Sequence, residues 1–473
     1  MELNDVKNSR VGIFLNYVAA SPAPELFASA IDVLIANQNT VLVYYCDEEL
    51  NGCSYNPIKS KSLCLACKSN VTHMQHLFKS VRFVPIKLRS ASRSIDHTMD
   101  IGLSDFNLAA MSSVASLTKA VDEQQLNTYW TSKLSQFKNN SIQLYHYFTD
   151  QIAKEQLELF LCFNGRFFDA KPVVNAAISS DINFAIVEVK KSIHPIAFVN
   201  ELIHSIEANC TRAEANYNDN PKLATKLAKT FFEKKIRQEA TGDPVYTRNQ
   251  KKGLAPPYLK DNNKKIIVVY PTTDDEYKFI GDEWDGTVPS SQSTEISALC
   301  AQLPQYLIII KMHPNQKHMP HRALKDYYDL GTRYKNCIVE RPTSKYDTYE
   351  LLRAADIVIN FASTIGVEAA YFGKSVINIG DTNFSRMNIA PVCKSGAEAA
   401  DMVLSGTIPP SNKLGAIKWG SYLLSYKSPL HKFEYSNGDY LFDGNKFPNA
   451  QRTFSTILPK LYIRLLKSRI FHK

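Results

Sequence analysis

The sequence predicts an α/β protein: two Rossmann-like domains facing a cleft, with a helical insertion in the first. Three observations carry this reading. Short β-branched runs at residues 10–17, 40–45, 265–270, 307–311 and 355–360 are apolar through their middles, as strands covered on both faces of a parallel sheet are. Helix-length segments separate these runs, the alternation that builds βαβ units. A chain of 473 residues exceeds a single core, so division into two domains of roughly 200–250 residues is expected. The expected boundaries are a first domain at 1–245, a linker at 246–264, a second domain at 265–425 and a carboxyl-terminal segment at 426–473.

The first domain opens with a strand at 10–17, a helix at 24–36 and a strand at 40–45. No Gly-x-Gly-x-x-Gly follows the first strand, so no dinucleotide is indicated there. The small-residue loop 16–24 lies at that strand's carboxyl end, on the side expected for an acceptor. Next comes a cysteine-rich loop, 46–67. Cys64 and Cys67 have zinc-knuckle spacing, and Cys46 and Cys53 would complete a tetrahedral thiolate site. A structural zinc and four reduced thiols are both open readings. Residues 104–156 are polar and helical, the expected insertion. A strand at 157–163 ends in Asn164-Gly165-Arg166, and after a helix at 170–179 a strand at 183–189 ends near Glu188. Asn164, Arg166 and Glu188 therefore share one carboxyl edge, either gripping a substrate or, for Arg166 and Glu188, pairing with each other. His194-Pro195 is expected to open a helical region reaching Arg237.

The polar, basic, proline-bearing stretch 241–265 reads as the linker. Beyond the strand at 265–270 stand Asp275 and Glu276, expected at the cleft, where one would take the proton of an acceptor hydroxyl. Glu276 is the preferred base; most carboxylates of this loop read as solvated charges. The run 307–311 ends in Lys311-Met312-His313-Pro314. In 355–380 a strand passes through Ser363-Thr364 into a helix, Gly373 stops it, and a strand follows at 376–379. Hydroxyls at a strand's carboxyl end and a helix's amino end suit phosphate, although Ser and Thr are also ordinary N-caps. Gly366 in the first turn suggests close backbone approach. Glu368 lies one turn beyond Thr364, placed for a ribose diol or else a helix-surface or core-paired acid. Gly373-Lys374-Ser375 is not a P-loop, because it ends a helix and six residues separate it from Gly366.

His313-Pro314 followed by the Ser363-Thr364…Glu368 helix resembles bacterial capsule and surface-polysaccharide glycosyltransferases of GT-B architecture, including the Kdo-, sialyl- and polyol-phosphate-transferring branches. The resemblance covers about residues 264–395 and is thinner over the amino-terminal half. It implies that His313, Pro314, Ser363 and Thr364 hold a donor nucleotide. Lys311 and Arg386 are then placed to meet leaving-group charge. The serine-to-glutamate spacing is similar to that of hydrolysing nucleotide-sugar epimerases, where the carboxylate takes the ribose. The implied function is transfer of a sugar from a nucleotide-activated donor to a glycan or lipid-linked glycan acceptor of a capsule or other surface polysaccharide. A nucleotide-sugar 2-epimerase and a non-catalytic assembly partner of the same fold are the alternatives. No cofactor is expected for catalysis, since no Asp-x-Asp precedes a suitable strand.

Composition agrees with this class. Lys and Arg number 55 against 46 Asp and Glu, a net charge of +9, which suits anionic partners without singling out nucleic acid. No signal peptide or membrane-spanning run is visible, and nine cysteines, an odd count, fit a reducing cytosol. The expected location is cytoplasmic, peripheral on the inner face of a membrane. Residues 453–473 read as a basic amphipathic helix, lying either on an anionic membrane or against the first domain.

Overall fold

The structure, a computed structural model, describes residues 2–88, 103–190, 194–239, 241, 246–260, 262–273, 275, 277–281, 289, 291–319, 321–425, 428–436 and 438–448. The chain divides into two compact units. The first comprises Met1–Ile203, Lys278–Glu283 and Lys427–Lys473, and the second His204–Tyr277 and Trp284–Tyr426.

The first unit holds a six-stranded sheet of β1 (Arg10–Leu15), β2 (Thr40–Tyr45), β3 (Arg82–Pro85), β4 (Leu159–Phe163), β5 (Asn183–Lys190) and β6 (His194–Val199). Its order is β3-β2-β1-β4-β5-β6, parallel except for β6. Alternation of side chains explains the unbroken apolar runs. Val11, Ile13 and Leu15 of β1 and Leu159 and Leu161 of β4 enter one core with α1 (Ala23–Ala36), while Phe14, Phe160 and Cys162 enter another. Both faces are thus covered. α2 (Lys61–Leu77) follows β2, and the expected insertion is three helices, α3 (Leu103–Thr118), α4 (Glu123–Tyr129) and α5 (Thr131–Glu155); α6 (Lys171–Ser179) follows β4.

The second unit repeats the plan with β7 (Ile266–Tyr270), β8 (Leu307–Lys311), β9 (Cys337–Glu340), β10 (Ile357–Asn360), β11 (Ser375–Ile379) and β12 (Val392–Cys393), in the order β12-β11-β10-β7-β8-β9. All its pairings are parallel. Its helices are α7 (Ile206–Asp219), α8 (Pro221–Ile236), α9 (Gln292–Gln302), α10 (His321–Arg333), α11 (Thr348–Ala354), α12 (Ile365–Tyr371), α13 (Gly396–Ser405) and α14 (Lys413–Ser425). Both sheets have the doubly wound Rossmann order. Strand order reverses between β1 and β4 in one unit and between β7 and β10 in the other, and such reversal points open a crevice at the strands' carboxyl ends.

Three expectations need correction. Residues 194–199 form an edge strand antiparallel to β5, not a helix start, and Pro195 is tolerated because an edge strand can spare an N–H. The helices that follow belong to the second unit: Phe232 of α8 stacks on Tyr371 of α12 at 4.0 Å, and Gly420 of α14 leaves the room it occupies. The expected linker 246–264 is bound into that unit as well. Gly253 N–H donates to Asp347 at 2.8 Å, Lys251 N–H to the Lys345 carbonyl at 2.8 Å, and Tyr258 Oη to Glu340 at 2.9 Å. The stretch lacks periodicity because side-chain hydrogen bonds, rather than a helix or strand face, hold it.

The carboxyl-terminal segment, expected at 426–473, is described as far as residue 448. β13 (Phe433–Ser436) and β14 (Asp439–Phe442) form a hairpin packed on α1 and α2, with Phe442 against Phe78 at 5.9 Å and Lys432 paired with Asp32 at 2.8 Å. The expected amphipathic helix at 453–473 lies outside the described residues. No described helix is long and apolar enough to cross a membrane.

Close packing in the second unit is tested at Gly396, the first residue of α13. A Cβ there would stand 2.0 Å from the Glu295 carbonyl oxygen, a backbone atom that cannot swing aside. Gly396→Ala is expected to destabilise by about 3 kcal/mol or more, read as a lowered urea midpoint at unchanged slope. An unchanged midpoint would refute this packing.

Candidate functional site

A cavity of about 720 Å³, open solvent included, lies at the carboxyl end of the second unit's sheet. Tyr270 and Pro271 come to it from β7, Lys311 to Pro314 from β8, and Ser363, Thr364, Ile365 and Glu368 from the β10–α12 junction. The strand-order reversal between β7 and β10 puts it where doubly wound sheets bind ligands.

Lys311, the last residue of β8, is 3% exposed. Among the described residues its ammonium has no hydrogen-bond or ion-pair partner. Burial pulls its pKa down to about 8, while Glu340 and Asp347 oppose the drop without reaching contact. A buried ammonium lacking a counter-charge is costly, and a ligand anion would relieve that cost.

His313 both caps and lines. It begins the short turn Pro314–His318, and its Nδ1 accepts the Asn315 N–H at 3.2 Å, which leaves the neutral ring's proton on Nε2 as a donor. Gln316 accepts the His313 N–H at 2.7 Å and donates to the Thr272 carbonyl at 3.2 Å, tying the ends of β8 and β7 together.

The hydroxyl pair is where the cap reading fails. Thr364 occupies the N-cap position of α12, yet its side chain makes no cap hydrogen bond, and Ser363 Oγ has no partner among the described residues. Ala362, just before them, adopts φ 51°, a left-handed conformation that costs a non-glycine residue about 1–2 kcal/mol and often marks a working site. Both hydroxyls line the cavity.

Two donor-side expectations change. Gly366 does not make room for a ligand: an added Cβ would stand 2.6 Å from Asn360 Nδ2, so glycine admits the Asn360 side chain of β10. Arg386 is not among the cavity-lining residues and instead pairs with Glu207 at 3.2 Å, because the turn that carries it packs on α7. Glu368 lines the cavity as a core-paired acid, 3% exposed and accepting from Tyr349 Oη at 2.6 Å. Burial, with the Glu368 charge behind it, pushes the Tyr349 phenol well up, so Tyr349 remains a donor.

The cavity also has a wall that sequence reasoning missed. Gln238, Thr241, Thr247 and Gln250 line it, from the stretch read as helix end and linker. Gln250 Oε1 accepts from Thr348 N–H at 2.9 Å and Thr348 Oγ1 at 3.0 Å, anchoring this wall to α11. The available signal was a run of Thr and Gln in a stretch without periodicity. Of the candidate bases, Asp275 is buried in the second unit but does not line the cavity, and Glu276 lies outside the described residues.

In the first unit Asn164, Arg166 and Glu188 are brought together. Asn164, at φ 66°, donates to Glu188 Oε2 at 2.7 Å, and the Arg166 guanidinium lies 4.8 Å over the Phe167 ring. Burial pushes the Glu188 carboxyl up to about 7, against the Asn164 hydrogen bond and the Arg166 charge. In the loop 16–24, Asn16 is spent on structure, bonding the Phe163 N–H at 3.0 Å and so bridging β1 to β4.

Cys46, Cys53, Cys64 and Cys67 line a second cavity of about 590 Å³ in this unit. Among the described residues no three His, Cys, Asp or Glu side chains are grouped to hold a metal. Cys64 and Cys67 sit inside α2 rather than on a knuckle turn, and the sulfurs of Cys46, Cys53 and Cys64 accept hydrogen bonds from Leu50, Asn56 and the Asn56 amide. Burial raises all four thiols. This arrangement does not fit the tetrahedral zinc site suggested by the spacing.

No family model and no curated protein matches the chain. Among solved structures it is similar to a β-Kdo 2,7 transferase, KpsC of Thermosulfurimonas dismutans (16% identity, 68% of this chain and 89% of that one, TM-score 0.37). It is also similar to the calicheamicin glycosyltransferase CalG4 (8%, 90% and 96%, TM-score 0.30) and to a UDP-GlcNAc 2-epimerase from Neisseria meningitidis (10%, 96% and 99%, TM-score 0.22). At these identities and TM-scores the likenesses do not by themselves assign an activity.

Proposed function

We propose that the protein is a glycosyltransferase that binds a nucleotide-activated sugar in the second unit and acts in the synthesis of a capsule or other surface polysaccharide. One observation carries the donor half: a buried ammonium, Lys311, lines a cavity at the sheet's reversal point with no ion-pair partner among the described residues, beside two unspent hydroxyls. The reaction class rests on the resemblance carried by His313-Pro314 and Ser363-Thr364…Glu368. The acceptor, a glycan or lipid-linked glycan, is assigned to the first unit at Asn164, Arg166 and Glu188. A carboxyl that titrates near neutrality, as Glu188 does, suits proton transfer from a hydroxyl.

The test is calorimetric titration of the purified chain with CMP, UDP and GDP, followed by incubation of the matching sugar nucleotides with and without glycan acceptors. Acceptor-dependent release of nucleotide is expected. Epimer formation without acceptor would replace this reading with the epimerase, and failure to bind any nucleotide would sink both.

A further inference from the structure

The wall missed by sequence reasoning holds two buried polar atoms with no hydrogen-bond partner among the described residues. They are Gln238 Nε2 and Thr241 Oγ1, and both residues line the cavity. Thr241 is 3% exposed, and Gln238, two residues beyond the end of α8, adopts φ 57°. Buried amides and hydroxyls are normally satisfied, and leaving one unmade destabilises a protein. Two such atoms on one cavity wall are therefore hard to explain as packing. Both groups are uncharged, although Lys235 and Glu239 line the cavity beside them, and the β8 and α12 side carries the buried ammonium of Lys311, the Nε2 donor of His313 and two hydroxyls.

We propose that Gln238 and Thr241 contact the uncharged part of the ligand, Gln238 donating from Nε2 to a carbonyl or hydroxyl oxygen and Thr241 bonding through Oγ1 beside it. The proposal rests on the reading of the cavity as a nucleotide site and adds to it the residues that distinguish one ligand from another. The anionic part of a sugar nucleotide goes to Lys311, leaving its neutral polar groups for this wall. An oxygen of that kind is offered both by a nucleobase carbonyl and by a hydroxyl of the transferred sugar. A pocket group made to bond such an oxygen rejects ligands that lack it, because the group then stays buried and unpaired.

Gln238→Met and Thr241→Val remove the polar atoms at nearly constant size. Each is expected to weaken binding of the nucleotide the wild type prefers, or of its sugar nucleotide, roughly five- to tenfold. The melting temperature of the ligand-free variant should stay level or rise, since an unsatisfied buried atom has been taken away. A loss seen already with CMP, UDP or GDP puts the oxygen on the nucleoside. A loss seen only with the sugar nucleotide, UDP-GlcNAc being one probe, puts it on the sugar. Unchanged affinity for both ligands overturns the proposal while leaving the nucleotide site standing. Lowered melting temperature with unchanged affinity overturns it too, by showing that the two groups serve the free protein. A wild type that binds no nucleotide overturns the site reading and this proposal together.

Discussion

Lys311→Met is expected to weaken nucleotide binding by roughly ten- to a hundredfold while making the ligand-free protein more stable below pH 8. The two effects share one cause. The ammonium is buried, has no partner among the described residues, and has a pKa of about 8 against an ordinary 10.5. Its charged form is thus disfavoured in the folded chain relative to the unfolded one, by about 3 kcal/mol. Between pH 8 and 10.5 the unfolded chain holds a proton that the folded chain has released, so this residue makes stability rise with pH across that window. Below pH 8 the penalty is present in full, and methionine removes it without unmaking any hydrogen bond: Glu340 keeps Tyr258 and Ser344, and Asp347 keeps Gly253 and Tyr349. A bound phosphate reverses the balance, because a charge-assisted contact is worth about 1.5–3 kcal/mol. Wild-type affinity should accordingly fall as pH rises above 8, and affinity of the variant should not follow. Calorimetry and thermal melts of both proteins from pH 6.5 to 10 test this. A methionine variant that is less stable at pH 7 and binds as well as wild type would remove Lys311 from the site.

Glu368→Ala and Glu368→Gln are expected to part company. Alanine removes the acceptor of the buried Tyr349 hydroxyl and leaves that donor unmade, a loss of about 1–3 kcal/mol of stability in addition to lost ligand contacts. Glutamine still offers an oxygen to Tyr349, so its stability should stay near wild type. If the carboxylate also takes the ribose hydroxyls, glutamine should raise the donor KM with less change in kcat, the pattern of lost uniform binding. A collapse of kcat at saturating donor would make Glu368 catalytic. A glutamine variant with neither constant changed would confine Glu368 to holding Tyr349, and Tyr349→Phe would then reproduce the alanine melt.

The sequence by itself determined the two doubly wound units, because β-branched runs with apolar middles, separated by helices, have few other ways to bury both faces. It also determined which residues line the β8 and α12 side of the cavity: Lys311, His313, Ser363 and Thr364 all lie within a few residues of a strand's carboxyl end, so strand position alone places them. Tertiary structure decided what those residues are free to do. Whether Thr364 is a cap or a ligand group depends on a hydrogen bond absent from α12, and whether Gly366 serves a ligand or Asn360 depends on the depth of β10 beneath it. Arg386 was drawn off to Glu207 by packing on α7. The cysteine spacing that suggested zinc falls on α2, whose helical geometry the spacing does not encode. The wall of Gln238, Thr241 and Gln250 was decided by tertiary structure alone. Gln250 is joined to Thr348 of α11 across 98 positions of chain by side-chain hydrogen bonds, which leave no period in the sequence to read.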